Sequence, residues 1–251
     1  PKTADGRVLF AVPWLGKLIL GTTDSPRQDI VREPEPFREE VRFILEESAR
    51  YLTRAPKAED IRSIWVGLRP LVKPQDDDGD NTKKISREHT VMSSRTGLVT
   101  VTGGKWTTYR AMAEDVLSEC FAIGRLPHRP GGVTARLPLA GAPAESAVHH
   151  RMNQIQGLHS YGTEASAVQA LPGNDEWLAD GLNEAMVRFA ARFEYARTVE
   201  DVLARRSRLL FLDARKAAEV APRVAAILQE ELGHDAGLAD FMPLATQYLP
   251  A

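Results

Sequence analysis

The segment from Val99 to Arg110, V-T-V-T-G-G-K-W-T-T-Y-R, joins a strand pattern to a helix pattern through two glycines and a lysine. The first N–H groups of a helix have no partner inside the helix, and with the helix dipole they favour a negative group. Lys105 adds a full positive charge at the same place. The spacing predicts an anion-facing turn; the alternative is a helix entered through a glycine turn with no ligand.

Two arginines lie near the ends or middles of predicted strands and could bind a small anion, and a histidine lies close to one of them. Arg69 lies in G-L-R-P-L and Arg87 in I-S-R-E-H. A guanidinium group pairs with phosphate in a bidentate manner, although surface salt bridges are the commoner use. His89 lies on the same strand face as Arg87 and could act as an acid or base. A structural histidine is the favoured interpretation.

A dense arginine stretch lies between residues 200 and 216, and it includes Arg205, Arg206, Arg208 and Arg215. Such a patch could contact membrane phospholipid. Leucines alternate with the arginines, which favours an amphipathic core helix with a charged rim.

Composition and spacing argue against several other classes. The net charge is −2 from 32 basic and 34 acidic side chains, which gives no global field to attract nucleic acid. Cys120 is the single cysteine, so no internal disulfide forms and no thiolate metal cluster is predicted. The acidic loop from Asp76 lacks the glycine and glutamate that a calcium loop needs, having Asn81 and Arg87 there. We predict no metal site.

The elements that must position these residues differ between the two halves of the chain. The first half alternates in the manner of strands and returning turns, with one helix after Pro36 and another after Lys105. Its predicted strands are 7–13, 18–23, 61–68, 84–92 and 98–102.

The second half is helical after a Gly- and Pro-rich stretch over 124–143. Its predicted helices are 145–156, 160–170, 183–195, 199–212 and 214–232, and Pro222 should kink or split the last one. We therefore predict an α+β fold. An antiparallel sheet with flanking helices spans 1–125, a linker spans 126–143, and an all-α domain spans 144–251.

Taken in order, these segments resemble the FAD-dependent (aerobic) glycerol-3-phosphate dehydrogenases of the D-amino-acid oxidase-like flavoproteins. The resemblance extends over nearly the whole chain. It rests on D-G-R-V-L-F-A-V-P-W, I-L-G-T-T-D, G-L-R-P-L, T-K-K-I-S-R-E-H, S-R-T-G-L-V-T-V-T-G-G-K-W-T-T-Y-R, Y-G-T-E-A and T-V-E-D-V-L-A-R-R-S-R-L-L-F-L-D.

The resemblance implies specific roles for the residues above. Arg69 and Arg87 would bind the phosphate of glycerol 3-phosphate, and Lys105 would lie between substrate and flavin as the catalytic residue of this chain. Cofactor contacts would come from the turn and helix start, through Gly103, Gly104, Lys105, Trp106, Thr107 and Thr108.

It also implies an activity and partners. The reaction would be hydride transfer to FAD that yields dihydroxyacetone phosphate, with electrons passed to a quinone. The enzyme would be peripheral on the cytoplasmic, inner face of the cell membrane and could form a homodimer. Alternatives are a glycerol-3-phosphate oxidase that uses O2, an amine or amino-acid oxidase relative, and a non-catalytic helical binding module.

One departure concerns the dinucleotide fingerprint. No G-x-G-x-x-G follows a predicted strand in this sequence. We therefore expect the chain to represent the carboxyl-terminal part of a longer enzyme, with the catalytic base outside it, and to be inactive and free of FAD by itself.

Overall fold

The computed structural model describes residues 3, 8–68, 88–143 and 151–250. Arg69, Arg87 and the acidic loop from Asp76 lie outside the described residues. Contacts divide the chain into two compact units. The helical unit comprises residues 1–25, 31–66 and 140–251, and the hairpin–helix unit comprises 26–30 and 67–139. The segments up to residue 66 thus group mainly with the helical region, while the predicted division at 126–143 remains a prediction.

The helical unit begins with the predicted hairpin. Strand β1 (Phe10–Trp14) pairs antiparallel with β2 (Lys17–Gly21), with Val12 opposite Ile19. Gly16 has a φ of +82°, and a Cβ there would lie 2.6 Å from Ile155, so the tight turn needs glycine. Helix α1 (Arg38–Ala49) follows Pro36 as predicted.

The predicted strand over 61–68 is wrong, because this segment pairs with helix ends instead of another strand. The Ile64 N–H donates to the Tyr248 carbonyl at 2.9 Å, and the Ser63 hydroxyl donates to the Leu210 carbonyl at 2.8 Å. The Trp65 ring packs edge-on against Phe211 with ring centroids 5.3 Å apart. An apolar run bonded in this way satisfies its backbone without a sheet.

The core of the helical unit lies among its carboxyl-terminal helices. Fully buried Val187, Val224, Ile227, Leu228 and Phe241 form its centre. The elements are a 3₁₀ helix at Leu158–Glu164, α3 (Ala165–Gln169), β5 (Trp177–Ala179), β6 (Leu182–Asn183), α4 (Glu184–Phe193), a π-helical turn at Asp201–Arg206, α5 (Leu209–Leu212), α6 (Ala214–Leu232) and α7 (Leu238–Gln247).

Helix ends follow the capping residues that the sequence provides. The Asn183 side chain accepts from the Met186 N–H, and Asp213 accepts from the Lys216 N–H, both at 3.0 Å. Helix α6 spans the predicted range, continues through Pro222 and ends at Gly233, whose φ is +75°. These bonds satisfy N–H groups that a helix leaves open at its start.

Two helix predictions need correction, and one helix was not predicted. Residues 151–156 are not helical, and the rest of the helix predicted over 145–156 lies largely outside the described residues. The helix predicted over 199–212 breaks at Ser207 and Arg208, because a π-helical turn and a left-handed Arg208 interrupt the 3.6-residue period. Helix α7 was missed by the pattern, since Pro243 lies inside it.

The hairpin–helix unit contains β3 (His89–Ser93), β4 (Val99–Gly103) and α2 (Tyr109–Ala122). The two strands pair antiparallel with His89 opposite Gly103. The three sheets of the described ranges are all two-stranded and antiparallel, which with the helical region confirms the α+β class. No helix within these ranges is both long and apolar enough to cross a bilayer.

Candidate cofactor-facing site

The turn between β4 and α2 is built around two glycines with left-handed backbones. Gly103 has a φ of +76° and Gly104 a φ of +84°, a region that side-chain-bearing residues adopt at a cost. A Cβ on Gly104 would lie 2.6 Å from Met112 Sδ and 3.0 Å from His89 Cβ. The left-handed backbone at 104 therefore favours glycine, and a larger residue there would also displace the end of the Met112 side chain.

The chain then enters α2 through a short 3₁₀ helix, Trp106–Thr108, with Lys105 at its start. The Thr108 N–H and hydroxyl both donate to the Lys105 carbonyl at 3.0 Å. Among the described residues, none accepts a hydrogen bond from the N–H groups of Trp106 or Thr107. Two open donors thus lie next to the exposed Lys105, an arrangement suited to an electron-rich group.

His89 anchors the turn to the helix behind it. Its Nε2 lies 2.7 Å from Asp115 Oδ2 on α2, and its side chain is largely covered while that of Asp115 is exposed. This contact links β3 to α2 directly beneath Gly104. The structure identifies Asp115 as the partner of His89, and the structural role of this histidine stays a prediction.

The surface around the turn carries uncovered apolar side chains. Trp106 is 86% exposed and stacks on Tyr109, with ring centroids 5.5 Å apart. Leu98, Val101 and Leu117 are exposed too. Of these residues, Trp106 belongs to the turn itself, and an exposed aromatic side chain there suits an interaction or ligand-facing surface.

The predicted cofactor contacts lie together as one continuous turn, from Gly103 through Thr108. Arg69 and Arg87, the predicted phosphate-binding residues, lie outside the described residues, so their distance from Lys105 stays a prediction. Sequence reasoning missed Arg125, which donates from Nη2 to the Thr96 carbonyl at 2.7 Å and crosses the β3–β4 turn at Gly97. No local motif marks such a contact, because 29 residues separate the two partners.

The arginine-rich stretch belongs to the helical unit. Arg205 pairs with Glu200 and Asp201, and Arg206 donates to the Glu194 carbonyl. Leu203 and Leu210 on the same stretch are buried. This stretch is therefore amphipathic, with buried leucines on one side and paired arginines on the other.

Two protein families match the sequence. The family described as FAD dependent oxidoreductase matches residues 1–110, and the family described as C-terminal domain of alpha-glycerophosphate oxidase matches residues 94–237. The two matches overlap on the turn from Gly103 to Thr108.

Curated relatives and a solved structure are also similar. A mitochondrial glycerol-3-phosphate dehydrogenase of Arabidopsis thaliana is 38% identical over 92% of this chain and 41% of its own length. The Bos taurus glycerol-3-phosphate dehydrogenase, also mitochondrial, is 36% identical over 94% of this chain and 35% of its own length. The chain thus spans well under half the length of these relatives.

A crystal structure of glycerol-3-phosphate dehydrogenase from Bacillus halodurans, complexed with FAD, superposes with a TM-score of 0.72. The superposition covers 99% of this chain and 53% of the Bacillus halodurans chain, and the two sequences are 21% identical. At this sequence identity, the similarity shows that the two chains share a fold.

Proposed function

The chain belongs to the family of the C-terminal domain of alpha-glycerophosphate oxidase, and on this premise we propose that the complete protein oxidises glycerol 3-phosphate to dihydroxyacetone phosphate with FAD. The family confirms the resemblance drawn from the sequence. The named relatives are glycerol-3-phosphate dehydrogenases, and the matched oxidoreductase family is FAD dependent.

The observation that carries the proposal is the open turn at Lys105. The pyrimidine edge of a flavin offers acceptors at N1 and O2, and these gain negative charge on reduction. The unbonded N–H groups of Trp106 and Thr107 and the exposed ammonium of Lys105 supply only donors. The donor set therefore fits this edge of the cofactor.

Each residue of the turn would then have a defined task. Gly103, Gly104 and Thr108 would hold the backbone in position, Trp106 and Thr107 would donate their N–H groups, and Lys105 would place its charge between substrate and cofactor. When bound, FAD supplies the hydride acceptor. Arg69 and Arg87 would bind the substrate phosphate, which orients the reacting carbon.

An Arg69→Ala substitution in the complete protein tests the phosphate assignment. We expect KM for glycerol 3-phosphate to rise by at least about tenfold, the cost of a lost charge-assisted contact, with no change for glycerol. Exposed Arg54, which pairs with Asp60, offers a matched control through Arg54→Ala. A protein that turns over glycerol 3-phosphate with the same KM after Arg69→Ala would remove Arg69 from the site.

The electron acceptor has two candidates. The relatives' names favour a dehydrogenase, for which we propose quinone as acceptor, whereas the description of the matched family names an oxidase. Stoichiometric peroxide from substrate and air alone would assign the oxidase. Turnover that requires an added quinone or dye would assign the dehydrogenase.

Location and assembly follow from the same resemblance. We propose peripheral attachment to the cytoplasmic, inner face of the cell membrane and a homodimer. The similar proteins of Arabidopsis thaliana and Bos taurus are named mitochondrial. Cell fractionation with a salt wash, followed by light scattering of the released protein, tests both proposals.

A further inference from the structure

A small cavity lies inside the helical unit, away from the turn at Lys105 in sequence. Its walls come from the 3₁₀ helix Leu158–Glu164, the β5–β6 turn, the end of α4 and the π-helical turn Asp201–Arg206. The volume is about 110 Å³, room for roughly four waters at about 30 Å³ each. A phosphate or a small carboxylate has about this size.

The backbone around the cavity departs from regular helix at several points. The π-helical turn contributes Val202 and Arg206, and Arg208 follows with a φ of +57°. Such departures have an energetic cost and concentrate at ligand-binding sites. In this chain, the irregular backbone places Arg206 and Arg208 along the same cavity.

Both arginines keep unused donors. Arg206 donates from Nε and Nη2 to the Glu194 carbonyl, and Arg208 donates from Nη1 to the Arg206 carbonyl at 2.8 Å. Within the described residues, Nη1 of Arg206 and both Nε and Nη2 of Arg208 bond to nothing. These carbonyl contacts fix the guanidinium groups in place.

Glu194 lines the same space and has no ion-pair partner among the described residues. Its Oε2 is buried without a hydrogen bond. Burial raises the pKa of this carboxyl, and Glu164 raises it further, against the opposing charges of Arg206 and Arg208. Burial thus disfavours the charged form of this carboxyl, while the two arginines favour it.

Tyr161 adds a further donor. Burial, followed by the nearby Glu194 charge, raises the pKa of its phenol, so the hydroxyl keeps its proton. Ser160 accepts from the Gly157 N–H and keeps its own hydroxyl hydrogen free. The side-chain acceptors left on the wall, besides the hydroxyls, are the Gln156 amide oxygen, since the Gln156 Nε2 donates to the Arg206 carbonyl, and the Glu194 carboxyl.

A wall rich in donors and poor in acceptors selects a ligand that is rich in acceptors. We propose that this cavity binds a small oxyanion, a phosphate or carboxylate of a few heavy atoms, through Arg206, Arg208 and the hydroxyl of Tyr161. Glu194 lines the same space beside the two guanidinium groups and is not required as a ligand.

Calorimetric titration of the full chain tests the site, with inorganic phosphate and acetate as probes and chloride at equal ionic strength as the reference. We expect saturable binding of at least one of the two probes. Arg208→Asn removes the guanidinium with a residue that tolerates the left-handed backbone, and it should weaken binding by about tenfold or more.

Matched variants separate this site from nonspecific attraction. Arg205→Asn removes an equal charge at the neighbour of Arg206, a residue that does not line the cavity, and binding should change by less than twofold. Tyr161→Phe keeps the ring and removes one donor, for about a fivefold loss. Glu194→Gln removes a carboxyl that can carry negative charge beside the anion, so binding should persist.

The following results would contradict the proposed oxyanion site. If neither anion binds saturably to the unmodified chain, the cavity holds water only and the proposal fails. It fails equally if Arg205→Asn weakens binding as much as Arg208→Asn, or if Glu194→Gln abolishes it. Should Arg208→Asn not fold, Tyr161→Phe decides, because an unchanged affinity there contradicts the assignment.

Discussion

The two units of this chain differ most in what they bury. Helix α6 in the helical unit buries seven residues along its 19, whereas the 14-residue α2 of the hairpin–helix unit buries none. The apolar side chains of the hairpin–helix unit, such as Leu98, Trp106 and Leu117, stay exposed. The buried core thus lies in the helical unit, whereas the proposed cofactor-facing turn lies in the unit whose apolar side chains stay exposed.

This difference gives each unit its own sensitivity to substitution. A buried core loses both transfer energy and packing when a side chain is cut back, while an exposed apolar surface loses little. The turn at Lys105, which carries the proposed redox role, lies in the unit with little core of its own.

The largest effect is expected from cutting a core side chain in the helical unit. Phe241 is 1% exposed, and Phe241→Ala should lower the free energy of unfolding by about 4 kcal/mol. Leu117→Ala in α2, where the side chain is half exposed, should cost less than about 1 kcal/mol. Urea titration followed by circular dichroism measures the free energy of unfolding of both variants. Equal decreases in the two variants would contradict the difference in burial between the units.

Next comes an ion-pair cluster of the helical unit. Glu231, nearly buried, accepts from Arg192 at 2.6 and 2.8 Å and from Arg188 at 2.8 Å. Glu231→Gln should cost about 3 kcal/mol at neutral pH, because it removes the carboxylate that pairs with Arg192 and leaves Arg188 with Glu230 alone. Glu219→Gln, at an exposed pair with Lys216, is the control and should change stability by under about 1 kcal/mol.

The same cluster predicts a pH dependence. Hydrogen bonds from Arg192, with those from Arg188, lower the pKa of Glu231 below its ordinary 4.5 against the effect of burial. As the pH falls, Glu231 therefore takes up its proton more readily in the unfolded chain than in the folded chain. The contribution of Glu231 to folding stability is complete above pH 4.5 and is lost as the pH falls through the lowered pKa of the folded state. Unfolding measured from pH 7 down to pH 3 should show a steeper loss for the unmodified chain than for Glu231→Gln.

A smaller effect is expected at the turn of the hairpin–helix unit. Gly104→Ala forces a Cβ against Met112 at a φ of +84°, which should cost about 2 kcal/mol. Gly124→Ala meets nothing within 4 Å at a φ of +69° and should cost about 1 kcal/mol. Amide exchange over β3 and β4 measures the difference, and equal protection in the two variants would show that the turn is not packed as described.

Local rules predicted the elements that local residues determine. Asn183, Asp213 and Gly233 mark helix ends through bonds to neighbours within a few residues. The hairpin around Gly16 is determined by its turn in the same way. For these elements the sequence pattern was sufficient.

The sequence pattern failed where the partner lies far along the chain. The segment 61–66 bonds to Leu210 and Tyr248, and its branched residues imitate a strand. The break at Ser207 and Arg208 arises from packing that no periodicity encodes. At the site, Gly103–Thr108 were predicted as a unit, whereas the His89–Asp115 contact spans 26 residues.

The most direct test of the turn at Lys105 is the reduction potential of the flavin in the complete protein. Lys105→Met should lower the two-electron potential by about 30 mV, equivalent to about 1.4 kcal/mol of lost stabilisation of the reduced form. Lys17→Met, on the exposed β2 strand of the helical unit, should leave the potential unchanged. An unchanged potential in Lys105→Met, with FAD bound normally, would contradict the placement of this lysine beside the cofactor.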